Sequence, residues 1–177
     1  MNNDEILKIL KEFLNIEDIN IDKIPNIDLY VDQVTTFIED SLKNYKRNEE
    51  QKIITKTMIN NYTKDKILSP PTKKKYNKKH IISLILIYYL KSIISINDIG
   101  LILKNAEENI EEIYDKLIQY KKVSNDLFYS NIEKLLEDIN NEENKDIALI
   151  LFLINIINEA NQRKILAEKI IDLYFKK

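Results

Sequence analysis

The side chains with most capacity for chemistry in this chain are lysines, and they are bunched. Between Lys43 and His80 stand twelve basic residues against three acids, Glu49, Glu50 and Asp65, a local charge of +9. Everywhere else fifteen basic residues face 26 acids, a charge of −11, so the formal net charge of −2 conceals a split. The chain is rich in Ile (34), Lys (25) and Asn (21), all of which have A/T-rich codons. Codon bias would spread lysine along the chain without stripping acids from one stretch. A focused positive patch on an otherwise acidic protein is the electrostatic footprint of a polyanion site. It is equally the pattern of a solvated charged surface.

Few other chemistries are open. With no Cys there is no thiol nucleophile, thiolate metal site or disulfide. The single histidine, His80, cannot supply a multi-His metal centre, and the single glycine, Gly100, cannot build a phosphate-cradling loop that needs at least two. Glu107, Glu108, Glu111 and Glu112 form an acidic group at i, i+4 spacing. A paired-carboxylate or di-metal site would want burial and a Glu-x-x-His partner, so a solvated helix face is expected. Ser and Thr lack a base beyond His80. No enzymatic activity, cofactor or metal is expected. His80, at a helix start, is expected to cap or pack, its nearness to the lysines leaving a phosphate contact open.

Helices must position the lysines, because sustained period-2 alternation is absent and β structure is confined to a small hairpin. Asp4–Leu14 is a short amphipathic helix. Asn15 to Tyr30, with Pro25 inside, is irregular, its isoleucines anchoring it across a core. Val31–Tyr45 is helical, with Val34, Phe37, Ile38, Leu42 and Tyr45 on one face. Ile54–Lys66 is a short helix capped by Thr55, burying Met58, Ile59 and Tyr62. Ser69-Pro70-Pro71 stops any helix. Thr72 to Lys79 is a basic loop or tight hairpin centred on Tyr76. Asn77 caps an apolar helix from His80 to Ile93, and Ser95 caps Ile96–Leu103. Acidic helices follow at Ala106–Lys122, Asn125–Ile139 and Asp146–Phe175, with a polar connector at Asn140 to Asn144 and a break expected near Asn158 to Gln162.

Met58-Ile-Asn-Asn-Tyr62, Ile67-Leu68-x-Pro-Pro71, the basic turn reaching Tyr76, the cap at Asn77 and Ser95-Ile-x-x-Ile99 occur in an order that resembles the DNA-binding domain of the mercury-resistance-regulator (MerR) class. Ile27-Asp-Leu-Tyr-Val-Asp-Gln33, Thr55-Lys-Thr-Met-Ile-Asn-Asn-Tyr62 and Pro70-Pro-x-Lys-Lys-Lys-Tyr76 resemble more closely an uncharacterised domain-of-unknown-function family of low-G+C Gram-positive bacteria. The resemblance spans roughly residues 24–103. It implies a mostly α protein, a MerR-like winged helix-turn-helix with additional C-terminal helices. The departures are Asn60 where the class carries an arginine, a short wing without glycine, and no sensing cysteines.

On that analogy the helix 54–66 enters the major groove of double-stranded DNA, with Lys56, Thr57, Asn60, Asn61 and Lys64 on its exposed face. An asparagine amide can pair bidentately with adenine; codon bias with a frayed polar face explains the asparagines equally. In the wing 72–79, Lys73, Lys74, Lys75, Tyr76, Lys78 and Lys79 meet phosphates, while the Tyr76 phenol is also a candidate to pack beneath the wing. The expected organisation is an N-terminal helix and extended segment at 1–30, the helix-turn-helix at 31–103 and an acidic helical region at 104–177. The expected function is a DNA-binding transcriptional regulator, with a homodimer as an option. The rival is a non-enzymatic adaptor whose basic patch binds an acidic protein or RNA. Asp146–Phe175 has more apolar residues than a single helix stripe needs and is the expected dimer or effector surface, with burial within its own subunit ranked ahead of a dimer interface, because a helix apolar all round must be buried. The apolar runs Ile147–Ile157 and Ile81–Leu90 fall short of the roughly 18 to 20 residues that span a bilayer. No signal-peptide core occurs in Met1 to Leu14, so a cytoplasmic protein without membrane contact is expected.

Overall fold

The computed structural model describes residues 3–139 and 142–176, so Asn140 and Asn141, at the start of the expected connector, lie outside the described residues. Within them the chain forms α1 (Asn3–Leu14), β1 (Leu29–Tyr30), α2 (Val31–Leu42), α3 (Lys56–Lys64), β2 (Lys75–Tyr76), α4 (Lys78–Leu90), α5 (Ile96–Ala106), α6 (Ile110–Ile139) and α7 (Lys145–Tyr174). The protein is mostly helical, as its composition implies. No helix among the described residues is long and apolar enough to cross a membrane.

The chain divides into two compact units. Unit 1 is Met1–Glu17 with Leu117–Ala167, and unit 2 is Asp18–Lys116 with Glu168–Lys177.

Unit 2 is built around α4. Ile81, Ile82, Leu84, Ile85 and Ile87 are all 1% exposed or less, so the apolar part of this helix, interrupted by Ser83 alone, is enclosed on nearly every side. Val34, Ile38 and Leu42 on α2, Ile59 on α3 and Ile99 on α5 are fully buried in the same unit. The segment before α2 is tied down partly as expected. Ile19, Ile24 and Leu29 are buried, but Ile27 stands 69% exposed and anchors nothing. Tyrosines hold the rest of that segment. The Tyr114 hydroxyl donates to the Ile19 carbonyl (2.7 Å), and Tyr45 and Tyr89 donate to Asp18 Oδ1 (2.7 and 3.3 Å). Burial raises the pKa of all three phenols, which keeps them neutral donors. At the other end of the chain Lys176 Nζ lies 2.8 Å from Asp98 Oδ1, at the start of α5.

The small hairpin expected within Thr72 to Lys79 is present as an antiparallel bridge between Thr72 and Lys75, and a distant strand joins it. β2 pairs antiparallel with β1, Leu29 opposite Tyr76 and Tyr30 opposite Lys75. Two residues per strand is too little to stand alone, and the pairing persists because Leu29 and Tyr76 are both buried.

Unit 1 contains α1, most of α6 and most of α7. Its core is the cluster Leu10, Ile132, Leu136 and Phe152, with Ile6, Leu7, Phe128 and Ile156 packed against it. The two helices expected over 106–139 are one. Val123-Ser124-Asn125 contains neither Pro nor Gly to interrupt α6, and Asn125, where the second helix was expected to start, lies within α6 and donates through Nδ2 to the Leu14 carbonyl (3.4 Å). For the same reason α7 runs unbroken through Asn158 to Gln162. The expectation that α7 is buried within its own subunit fails: Ile147, Leu149, Ile150, Leu151, Leu153, Ile154 and Ile157 are 40–66% exposed, while Ala148 and Phe152 face inward.

Candidate nucleic-acid interface

The basic stretch is displayed by α3 and by the loop between α3 and α4, both in unit 2. Thr55 starts α3 as its cap, its Oγ1 accepting from the Met58 amide (3.1 Å). Ile59 is buried and Met58 and Tyr62 are half-buried, which fixes the rotation of the helix. Lys56, Thr57, Asn60, Asn61 and Lys64, at i, i+1, i+4, i+5 and i+8, therefore share the outward face, and all five are exposed.

The end of α3 and the tip of the loop share an unusual backbone feature. Lys66 (φ 58), Lys73 (φ 51) and Lys74 (φ 64) are the positive-φ residues other than glycine among the described residues. Lys66 closes α3 in a left-handed turn, with the Ile67 and Leu68 amides both donating to the Tyr62 carbonyl (2.9 and 3.0 Å). Lys73 and Lys74 are the central residues of a turn closed by reciprocal bonds between Thr72 and Lys75 (3.1 and 2.9 Å). Two consecutive left-handed residues define a type I′ turn, which favours Asn-Gly. Asn is freely used in this sequence, 21 times, yet lysine occupies both positions.

The loop is held to α3 from below. Tyr76 is 4% exposed, its phenol reaching Thr63 on α3 and its ring edge-on to His80 at 5.6 Å between centroids. Burial raises its pKa. Of its two readings the packing one holds: the ring anchors the loop and presents no face to a nucleic acid. His80 is likewise a capping and packing residue. Its amide donates to Asn77 Oδ1 and the Asn77 amide donates to its Nδ1, both at 3.2 Å.

The remaining lysines separate into engaged and free. Lys56 is ion-paired with Asp32 at the start of α2. Lys78 lies 3.9 Å from a Glu111 carboxylate oxygen, and Lys79 Nζ donates to the carbonyls of Glu107 and Glu108 (3.3 Å each). Those two glutamates sit in the turn between α5 and α6, apart from Glu111 and Glu112 on α6, so the acidic group is not one helix face. Lys75 Nζ rests 5.2 Å above the Tyr30 ring. Lys64, Lys73 and Lys74 have no carboxylate partner among the described residues, and neither does Lys66, which is not among the expected contact residues. The signal for Lys66 was its place just beyond a helix end, where a left-handed residue is needed and glycine is usual.

A family model described as Domain of unknown function (DUF1836) matches residues 19–126 of the chain. No curated protein and no solved structure gives a significant match.

Proposed function

The chain belongs to the family described as Domain of unknown function (DUF1836), and from that premise we propose that unit 2 is a winged helix-turn-helix of the MerR kind that binds double-stranded DNA in a transcriptional regulator. The observation that carries the proposal is the outward face of α3, where Lys56, Thr57, Asn60, Asn61 and Lys64 are exposed together. In this proposal α3 lies in the major groove, with Asn60 and Asn61 at base edges and Lys64 at a phosphate. The Lys73–Lys74 turn is the wing. Lysine there positions the backbone as a mobile point charge and carries no sequence information.

Support also comes from the strain at the tip. Left-handed lysines cost on the order of 1 kcal/mol or more each relative to glycine. Accepting that cost twice in succession is accounted for when charge at the tip is what matters. Dimerisation is part of the proposal. A monomer seldom exposes more than a few hundred Å² of contiguous apolar surface. At 100° per residue, Leu149, Ile150, Leu151, Leu153 and Ile154 point around most of the α7 circumference, more than its intramolecular packing covers. A second copy reading a paired half-site would cover that surface.

The test is fluorescence anisotropy of labelled duplex DNA against the protein at several salt concentrations, beside the triple variant Lys73, Lys74, Lys75→Glu. With Lys64, Lys73, Lys74 and Lys75 at phosphates, the log–log salt slope is roughly −3.6 per chain and twice that for a dimer. Binding that weakens with salt at this steepness and is lost in the variant supports the proposal. Equal affinity for duplex and single-stranded RNA, or wild-type affinity in the variant, overturns it in favour of an adaptor.

A further inference from the structure

A concavity of about 670 Å³ opens in unit 2 where the exit of α3, the first turn of α4 and the last turn of α5 meet. That volume falls in the range of small-molecule sites. Its walls combine two kinds of surface. Ile67, Leu68, Leu103 and Ile110 line it and are themselves buried, so they form an apolar floor. Lys64, Lys66 and Lys104 line it and have no carboxylate partner among the described residues.

The other charged groups of the concavity are already engaged. Its carboxylate, Glu107, accepts the Ser69 hydroxyl through Oε1 (2.7 Å), and Lys79 is turned to the Glu107 and Glu108 carbonyls. Three free cations therefore surround an apolar floor. His80 supplies a second, independent sign of a ligand. It lines the concavity and is 8% exposed, and its buried Nε2 makes no hydrogen bond of ordinary length and angle, the Pro70 and Ser69 carbonyls being the polar groups beside the ring. A buried polar atom in that condition is rare in a folded protein unless something meets it. Burial holds the ring's pKa below its usual value, partly offset by the nearby Pro70 and Ser69 carbonyls, so the ring is neutral at pH 7. Lys66 adds a third sign, because it reaches the rim from a left-handed backbone where glycine would be easier.

We infer that this concavity is a binding site for a small organic oxyanion with an apolar body, a carboxylate or a phosphate monoester. The head is held by Lys66 and Lys104, with Lys64 and the His80 Nε2 within the same walls, and the body rests on Ile67 and Leu103. The inference concerns unit 2 alone and stands whether or not α3 binds nucleic acid.

The experiment is an NMR titration of the full chain, with labelled Ile and Leu methyls and His80 ring. The probes are 1-naphthoate, 1-naphthyl phosphate, the neutral 1-naphthalenemethanol and inorganic phosphate. One or both naphthyl anions are expected to shift the Ile67, Leu68 and Leu103 methyls and the His80 ring. Their Kd should be at least tenfold lower than those of the neutral probe and of inorganic phosphate, and the preferred head identifies carboxylate or phosphate ligands. A Lys66→Gln, Lys104→Gln double variant should lose the preference for anions and keep its weak affinity for the neutral probe. Lys104→Gln alone, at an exposed helical position, should show part of that loss in a chain whose fold it leaves intact. Equal affinity for neutral and anionic probes, shifts confined to other residues, no shift with any probe, or variants that bind the anions like wild type would each overturn the inference.

Discussion

Among the described residues, 25 of the 31 buried apolar ones belong to unit 2, which spans 109 residues, and six to unit 1, which spans 68. Large exposed apolar side chains among the described residues run the other way, fifteen of the 22 being in unit 1. Both units are rich in Ile and Leu, so apolar content does not account for the difference. Enclosure does. In unit 2 the apolar α4 is surrounded on nearly every side. In unit 1 the apolar first part of α7, residues 147–157, packs through Ala148 and Phe152 and leaves most of its circumference to solvent or to a partner. The contrast teaches that an all-apolar helix states only that it needs cover; where the cover comes from is a separate matter.

The largest expected effect tests that contrast directly. Ile85→Ala, at a fully enclosed position, should cost about 2–5 kcal/mol of stability by urea denaturation. Ile154→Ala, 56% exposed, should cost less than about 0.5 kcal/mol in dilute protein. A cost for Ile154→Ala that grows with protein concentration would identify the α7 surface as covered by a second copy, and would break the contrast for the assembled protein.

Polar satisfaction in unit 2 gives the next effect. Tyr114→Phe leaves the buried Ile19 carbonyl without its donor, and about 1–3 kcal/mol should be lost. A neutral result would show that a water takes the hydroxyl's place.

The turn at Lys73 and Lys74 should move stability and binding in opposite directions. Replacing the pair by Asn-Gly supplies residues suited to φ 51 and 64, and should raise stability by about 1 kcal/mol in thermal melts. The same variant should reduce the salt slope of duplex binding by about 2. A gain in stability with unchanged binding would mark the turn as a plain loop.

The smallest effect is on pH. His80 has a lowered pKa because burial disfavours its charged form. The unfolded chain therefore binds the proton more readily. The contribution is fully present above the ordinary value of 6.5 and is lost as pH falls through the lower folded value. Glu39 acts in a more acidic window. Burial raises its pKa, but the bonds from Lys46 and the Ile53 amide outweigh this and hold it below 4.5, so its contribution is lost only as pH falls beneath that value. His80→Gln should flatten the stability profile between pH 7 and 5 and leave the more acidic limb in place.

Much of the local structure was legible along the chain. Thr55, Asn77 and Ser95 cap their helices as read, because a cap is a contact between residues three apart and needs no tertiary information. The outward face of α3 followed from the spacing around Ile59. The continuity of α6 did not, because Ser124 and Asn125 look like caps until a distant Leu14 carbonyl occupies the asparagine. Nor did the pairing of β2 with β1, which joins segments 46 residues apart through buried Leu29 and Tyr76. The division of the lysines was equally hidden, since only the Asp32 and Glu111 carboxylates beside Lys56 and Lys78, and the two carbonyls that take Lys79, show which charges are already engaged.

The sequence by itself determined the helical class, the caps, the outward face of α3 and the concentration of positive charge. All of these depend on residue type and short-range spacing, where 3.6-residue periodicity and local hydrogen bonds govern. Only the tertiary structure decided that Tyr76 is an anchor, that Lys64, Lys66, Lys73 and Lys74 have no carboxylate partner among the described residues, that His80 meets a concavity, and that α4 is covered while much of α7 is not. Burial and charge pairing are properties of neighbours brought from elsewhere in the chain, and no local pattern encodes which neighbours arrive.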